Sequence, residues 1–177
     1  MNYSKIIDDF SYESDKLIKS RIVNREQIDI REEKDIINEI VLWKLNRTIH
    51  LEDETILYLN KVISSINNPL EVINSESVKK LIIMLLKSKG IRIPMASTIL
   101  HFYKPDVFPI IDQRAYRELM GHELGNSLVP EKSTDLYLDY IEKCELYRKE
   151  KCPEIEFQFI DKILYQLDKQ KGLKVKY

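Results

Sequence analysis

An all-α fold is what this sequence predicts, and three observations carry the prediction. Glycine and proline are scarce, at 4 and 6 in 177 residues, which argues for long helices with few tight turns and against a sandwich or barrel. Apolar residues recur at three- and four-residue steps through most of the chain. No stretch shows the sustained alternation of a half-buried strand. The length suits one domain, or a domain of two closely packed lobes.

Taken in order, residues 2–20 set Tyr3, Ile6, Ile7, Phe10, Leu17 and Ile18 on one helical face. A break is expected between Val23 and Ile30. Residues 31–47 step Ile36, Ile37, Ile40, Val41, Lys44 and Leu45 round one stripe, with charges opposite. Trp43, the one tryptophan, reads as an anchor in the core or between lobes, or else as a base-stacking ring. A third helix is predicted over 52–66, ended by Asn67-Asn68-Pro69. Asn74 or Ser75 caps a fourth over 76–88, whose Leu81 to Leu86 run is apolar on nearly every side and so belongs at the centre of a bundle.

Gly90 turns the chain, and Pro94 opens the next helix, which stops before Pro105. A loop delivers Asp112 to the start of another helix, for which Gly121 is a natural C-cap. After a loop with Gly125 and Pro130, Ser133 is predicted to cap a helix over 134–150. Pro153 is predicted to start the last helix, over 153–169, and the tail from Gln170 to fray.

The bulk numbers exclude several classes. No apolar run reaches the roughly 18 residues of a membrane span, so no membrane partner is expected. The first residues lack the apolar core and cleavage site of a signal peptide. Cys144 and Cys152 are the only cysteines, too few for a zinc ribbon or an iron–sulfur cluster. The expected compartment is a reducing cytoplasm. Net charge is -1, so no global field announces a nucleic-acid partner.

Local charge tells a different story. From Ser77 to Pro105 there is no acidic side chain, while Lys79, Lys80, Lys87, Lys89, Arg92 and Lys104 all fall in that window. One reading is a solvated face with lysines that favour helix C-termini. The other is a phosphate-binding face built round the turn at Gly90. There the unpaired N–H groups of the next helix's first turn would hold a phosphate oxygen. Ile91 and Ile93 would pin the turn, and Lys87, Lys89 and Arg92 would surround it.

Phe108-Pro109-Ile110-Ile111-Asp112 is an apolar loop that sets one carboxylate at a helix start. As structure, Asp112 is an N-cap. As chemistry, a carboxylate held rigid by a helix N-terminus suits a site where positive charge develops. The two roles coexist. His50, His101 and His122 are too widely spread for a local metal site, and Glu118 with His122 supplies only two ligands on one helix face. Tyr103 and Tyr116 flank the region and are the tyrosines placed to matter there.

About 35 residues, from Lys87 to Gly121, resemble the core motif of the helix-hairpin-helix superfamily of DNA glycosylases. That family has a hairpin of the type L-P-G-V-G-x-x-x-A between two helices, then a V-D or P-V-D loop leading to an essential aspartate. Here the hairpin glycine is Gly90, the small residue is Ala96 and the aspartate is Asp112, at close to the family spacing. The second hairpin glycine is replaced by Arg92, and the preceding L-P by Ser88-Lys89. The Schiff-base lysine of bifunctional members falls at Pro94, so β-lyase chemistry by that route is not expected.

The resemblance implies a helix-hairpin-helix glycosylase-like bundle that binds double-stranded DNA through Lys87, Lys89, Gly90, Arg92 and Arg114. It implies a target nucleotide flipped from the stack, with Asp112 as the single essential carboxylate. Arg114 would steer a phosphate or pair with Asp112. The family hairpin often holds a monovalent cation on main-chain carbonyls; Arg92 stands to occupy that space. A non-catalytic DNA-binding module of the same fold, and a helical interaction domain that kept only the core, are the alternatives.

Overall fold

A computed structural model describes residues 13–24, 29–45, 50–125 and 127–175, and every element these residues form is helical. The helices are α1 (Glu13–Asn24), α2 (Ile30–Leu45), α3 (Asp53–Ser65), α4 (Pro69–Ile73), α5 (Glu76–Lys87), α6 (Ile93–Tyr103), α7 (Gln113–Met120), α8 (Pro130–Lys151) and α9 (Ile160–Gln170). A 3-10 turn, Phe157–Phe159, leads into α9. The N-terminal part of the expected 2–20 helix, with Tyr3 to Phe10, lies outside the described residues. So do residues 46 and 47, the end of the expected 31–47 helix. No described helix is long and apolar enough to cross a membrane.

The predicted breaks hold where a cap or a missing period marks them. Ser75 caps α5 by accepting the Val78 N–H at 3.3 Å. Gly121 ends α7 in the left-handed region at φ 78°.

Four boundaries or placements differ from expectation. Residues 69–73 form the short α4, because Asn68 Oδ1 accepts the N–H groups of both Leu70 and Glu71 and Pro69 presets the first turn. Helix α8 begins at Pro130, not after Ser133; proline needs no partner at a helix start, and the Ser133 hydroxyl instead donates to the Ser127 carbonyl. The last helix starts at Ile160 rather than Pro153, after the 3-10 turn. Residues 173 and 174 do not fray: Arg114 and Arg117 donate to their carbonyls at 3.1 Å.

The centre of the bundle is α6, not α5. Helix α5 buries Val78, Leu81, Ile82 and Leu85, one stripe at three- and four-residue steps, and leaves Ile83, Met84 and Leu86 half-covered. Helix α6 is buried from Met95 through Tyr103. It has no long charged side chain there, and its small polar groups find partners at once. Ser97 and Thr98 both donate to the Pro94 carbonyl, at 2.9 and 2.7 Å. Helices α1, α2, α5 and α8 pack against it. Trp43 meets Phe102 of α6 edge-on at 5.3 Å, so the tryptophan is a packing anchor.

Helix α7 lies chiefly on α9. Arg114 and Arg117 of α7 both reach Asp168 of α9, whose side chain is 1% exposed. Glu118 of α7 pairs with Lys171 at 2.6 Å. This joint sets how the helix headed by Asp112 sits on the rest of the bundle.

Candidate functional site

The site grows from the two ends of α6. At its start, α5 stops at Lys87 and the Ser88 hydroxyl donates back to the Met84 carbonyl at 3.1 Å. Ile91 N–H then closes a turn onto the Ser88 carbonyl at 3.2 Å. Gly90 adopts φ 87° in that turn, a conformation that a Cβ would strain. Ile91 and Ile93, buried on either side of Arg92, fasten the hairpin to the core. The first turn of α6 has no side-chain cap, but the expected row of free N–H groups is not there: Pro94 has none, and the N–H groups of Met95 and Ala96 both donate to the Arg92 carbonyl at 2.9 Å, so this helix start offers chiefly its dipole.

Lys87, Lys89 and Arg92 are all exposed around this turn. Lys87 and Lys89 line a groove of about 360 Å³ shared with His50, Thr55 and Met84. Arg92 lines a second, of about 300 Å³, with Pro94, Leu124 and Leu128. Two other lysines of the acid-free window are engaged elsewhere. Lys79 pairs with Glu76 at 3.0 Å, and Lys80 sits over the Tyr58 ring at 4.9 Å. The carbonyls of Ser88 and Lys89 already accept from Ile91 and His50. Both bonds help to hold the hairpin in place.

Beyond α6, the loop Phe108–Asp112 is held at every residue. His101 Nδ1 lies 2.8 Å from the Phe108 carbonyl, which can only accept, so that nitrogen carries the hydrogen. Tyr137 donates to the Pro109 carbonyl at 2.8 Å and Tyr140 to the Ile110 carbonyl at 3.2 Å. Ile110 N–H donates to Asp161 Oδ2 at 2.9 Å, and Ile111 N–H to Ser97 Oγ at 3.1 Å. Asp112 closes the series by accepting the Ala115 N–H at 2.8 Å, the N-cap of α7.

Ser97 joins the two halves of the site. Its hydroxyl donates to Pro94, in the first turn of α6, and accepts from Ile111, next to Asp112. The uncapped helix start and the acid loop are thus one side chain apart.

Asp112 is half-buried. Burial pushes its carboxyl above the ordinary value; the Ala115 N–H and the field of Lys44 pull it back, while Asp161 adds to the rise. Arg114 does not pair with it. That guanidinium donates to Asp168 at 3.0 Å and to the Leu173 carbonyl, and stacks 5.7 Å from the Tyr165 ring. The carboxylate of Asp112 is therefore left un-neutralised by its nearest arginine in sequence, and Arg114 is occupied as structure.

Tyr103 and Tyr116 do not act as open stacking platforms. The Tyr103 hydroxyl donates to buried Glu33, and Tyr116 is covered by Tyr140, at 6.0 Å between rings, and by His122. No cluster of metal-binding side chains exists among the described residues. The loop's anchors, Asp161, Tyr137, Tyr140, Ser97 and His101, were not found by reading the sequence as site residues. The first four stand 14 to 51 residues from the groups they hold, and no local pattern marks them.

No family matches. Comparison with models of known protein families, with curated proteins and with solved structures each returns no match to this chain.

Proposed function

We propose that this chain is a helix-hairpin-helix DNA-binding protein of the DNA glycosylase type, which hydrolyses an N-glycosidic bond with Asp112 as its one essential carboxylate. The observation that carries the reading is the hydroxyl of Ser97, which ties an uncapped, cation-flanked helix start to a rigid loop ending in an unpaired acid. The hairpin supplies what favours a duplex backbone: the positive end of the α6 dipole, with exposed Lys87, Lys89 and Arg92 around it.

The chemistry follows from the acid's surroundings. A base bonded to deoxyribose can be reached only when its nucleotide leaves the stack. As the base departs with the bonding electrons, positive charge grows on the sugar. The ionised carboxylate of Asp112 opposes that charge from a place that its loop's hydrogen bonds hold. The same oxygen that does not cap α7 can orient a water, whose oxygen then bonds to the anomeric carbon while its proton passes to solvent or the departing base. With Pro94 where bifunctional enzymes carry lysine, water is the nucleophile and the sugar–phosphate backbone stays intact.

The test is release of a free base from duplex DNA bearing modified or mismatched bases, by the natural chain and by Asp112→Asn. Asparagine caps a helix as well as aspartate does, so the fold is preserved. Excision lost with duplex binding intact supports the reading. Binding with no excision by either chain supports the second reading, a DNA-binding module, which the hairpin favours without calling on Asp112. No salt-dependent duplex binding at all overturns both.

A further inference from the structure

Asp161 opens α9 with a side chain only 5% exposed. One carboxylate oxygen accepts the N–H of Lys162 in its own helix, at 2.8 Å, and the other accepts the N–H of Ile110, at 2.9 Å. Burying a carboxylate is unfavourable, and a hydroxyl or an amide would satisfy one N–H as well. A charged acceptor, however, makes a shorter and stronger bond to a backbone donor. The start of α9 offsets part of the burial through its dipole, and His101 Nδ1 lies 3.9 Å from the same oxygen.

The other bonds that hold this stretch of the loop bear on carbonyls or on Ile111. The N–H of Ile110, two residues before Asp112, has Asp161 as its acceptor. Both oxygens of Asp161 are occupied and its side chain is sealed, so it does not touch a substrate.

We propose that Asp161 is a positioning residue, whose bond to Ile110 fixes where the Asp112 carboxylate stands when the glycosidic bond breaks. This rests on the reading of Asp112 as the essential acid. Displacing a reacting group by about 1 Å lowers a rate about 100-fold, and that is the loss expected when the bond is removed.

The experiment compares Asp161→Ala with Asp161→Asn in the full chain. Asparagine keeps an oxygen that accepts from Ile110 and removes the charge; alanine removes both. Three quantities are read: the single-turnover rate of base release from duplex DNA at saturating protein, the duplex Kd, and amide hydrogen exchange at Ile110 and Ala115. Asp161→Ala is expected to lose about 100-fold in rate with Kd within about twofold, and to lose protection at both amides. Asp161→Asn is expected to recover most of the rate and the protection.

A folded Asp161→Ala that releases base at the natural rate overturns the proposal, as does an asparagine variant no better than alanine. Should the alanine chain not fold, Asp161→Leu, which fills the space but cannot accept, replaces it with the same criteria. If the natural chain releases no base, the reading of Asp112 has failed, and exchange alone decides. Protection lost at Ala115, whose partner is Asp112, upholds Asp161 as the residue that places that carboxylate. Unchanged protection there overturns it.

Discussion

Arg117 grips Asp168 through two parallel hydrogen bonds, Nε to Oδ1 and Nη2 to Oδ2, both at 2.8 Å. Arg114 adds a third contact one turn earlier on the same helix. The consequence reaches the candidate site. With its charge committed to α9, Arg114 leaves Asp112 alone at the head of α7, and the helix that Asp112 heads is stapled to the bundle from behind.

Replacing Asp168 with alanine removes the one acceptor that Arg114 and Arg117 share, leaving Arg117 with Glu123 and both arginines with tail carbonyls. The Tm should fall, because the joint between α7 and α9 loses its three charge-assisted hydrogen bonds, and thermal melting followed by circular dichroism reads the loss. An unchanged Tm would show the pair to be energetically idle.

Asp112→Asn should melt higher than the natural chain. Burial raises the carboxyl's pKa, which means that the ionised form is disfavoured in the fold, while asparagine keeps the cap without the charge. Thermal melting checks the direction: an Asp112→Asn chain that melts at or below the natural temperature would show that burial of the charge costs nothing. Asp112→Ala removes the cap as well and should lie below the asparagine variant by about 1 kcal/mol.

The pH dependence of stability has opposing parts. Asp112 and Asp161 have folded pKa values raised, chiefly by burial, so the stability they allow is full below the unfolded value of about 4 and is lost as pH rises through the folded values. Asp168 is lowered by its hydrogen bond to Arg117; its contribution is present above about 4 and lost as pH falls through the folded value. Stability should therefore climb as pH falls through the folded values of Asp112 and Asp161, and decline below roughly pH 4 as Asp168 takes up its proton. Base release should fall over the range where stability climbs, because protonated Asp112 cannot oppose a cation. Urea melts and rates across pH 4 to 8 check both trends.

Duplex binding should weaken with salt, and charge reversal at the hairpin should flatten that dependence. Each phosphate contact contributes a slope of about -0.9 in log K against log salt. Lys87→Glu with Lys89→Glu should thus reduce the slope by about 2. Lys79→Glu, at a lysine already paired with Glu76, should leave it nearly unchanged.

Gly90 and Gly121 make a matched pair. Both have positive φ, 87° and 78°, so alanine at either is strained by about 1–2 kcal/mol. A Cβ at Gly121 meets no atom within 4 Å, so backbone strain is the whole effect there. Gly90→Ala and Gly121→Ala should lose similar stability, while only the first weakens duplex binding. Equal effects on binding would separate the hairpin from DNA recognition.

The sequence made most of the helices legible because caps and periods are local. Ser75, Asp112 and Gly121 announce themselves by residue type and position. What failed was equally physical. Helix α4 is five residues long and has no period to read. Ser133 looked like a cap, but Pro130 is satisfied earlier at a helix start. The richest apolar run, in α5, lost the centre to α6, whose Ser97, Thr98 and His101 read as polar until their partners are seen. Asp112 and the hairpin could be singled out from spacing, whereas Asp161, Tyr137 and Tyr140 could not. They belong to the site only through folding back across long stretches of chain.

That fold-back orders events in time. Asp112 and the hairpin emerge from the ribosome before α9, and the N–H of Ile110 waits 51 residues for Asp161. A nascent or clipped chain lacking α9 carries the acid with neither its anchor nor the staple behind it. The place of this carboxylate is therefore set by contacts that only α9 brings, well after the acid itself has been synthesised.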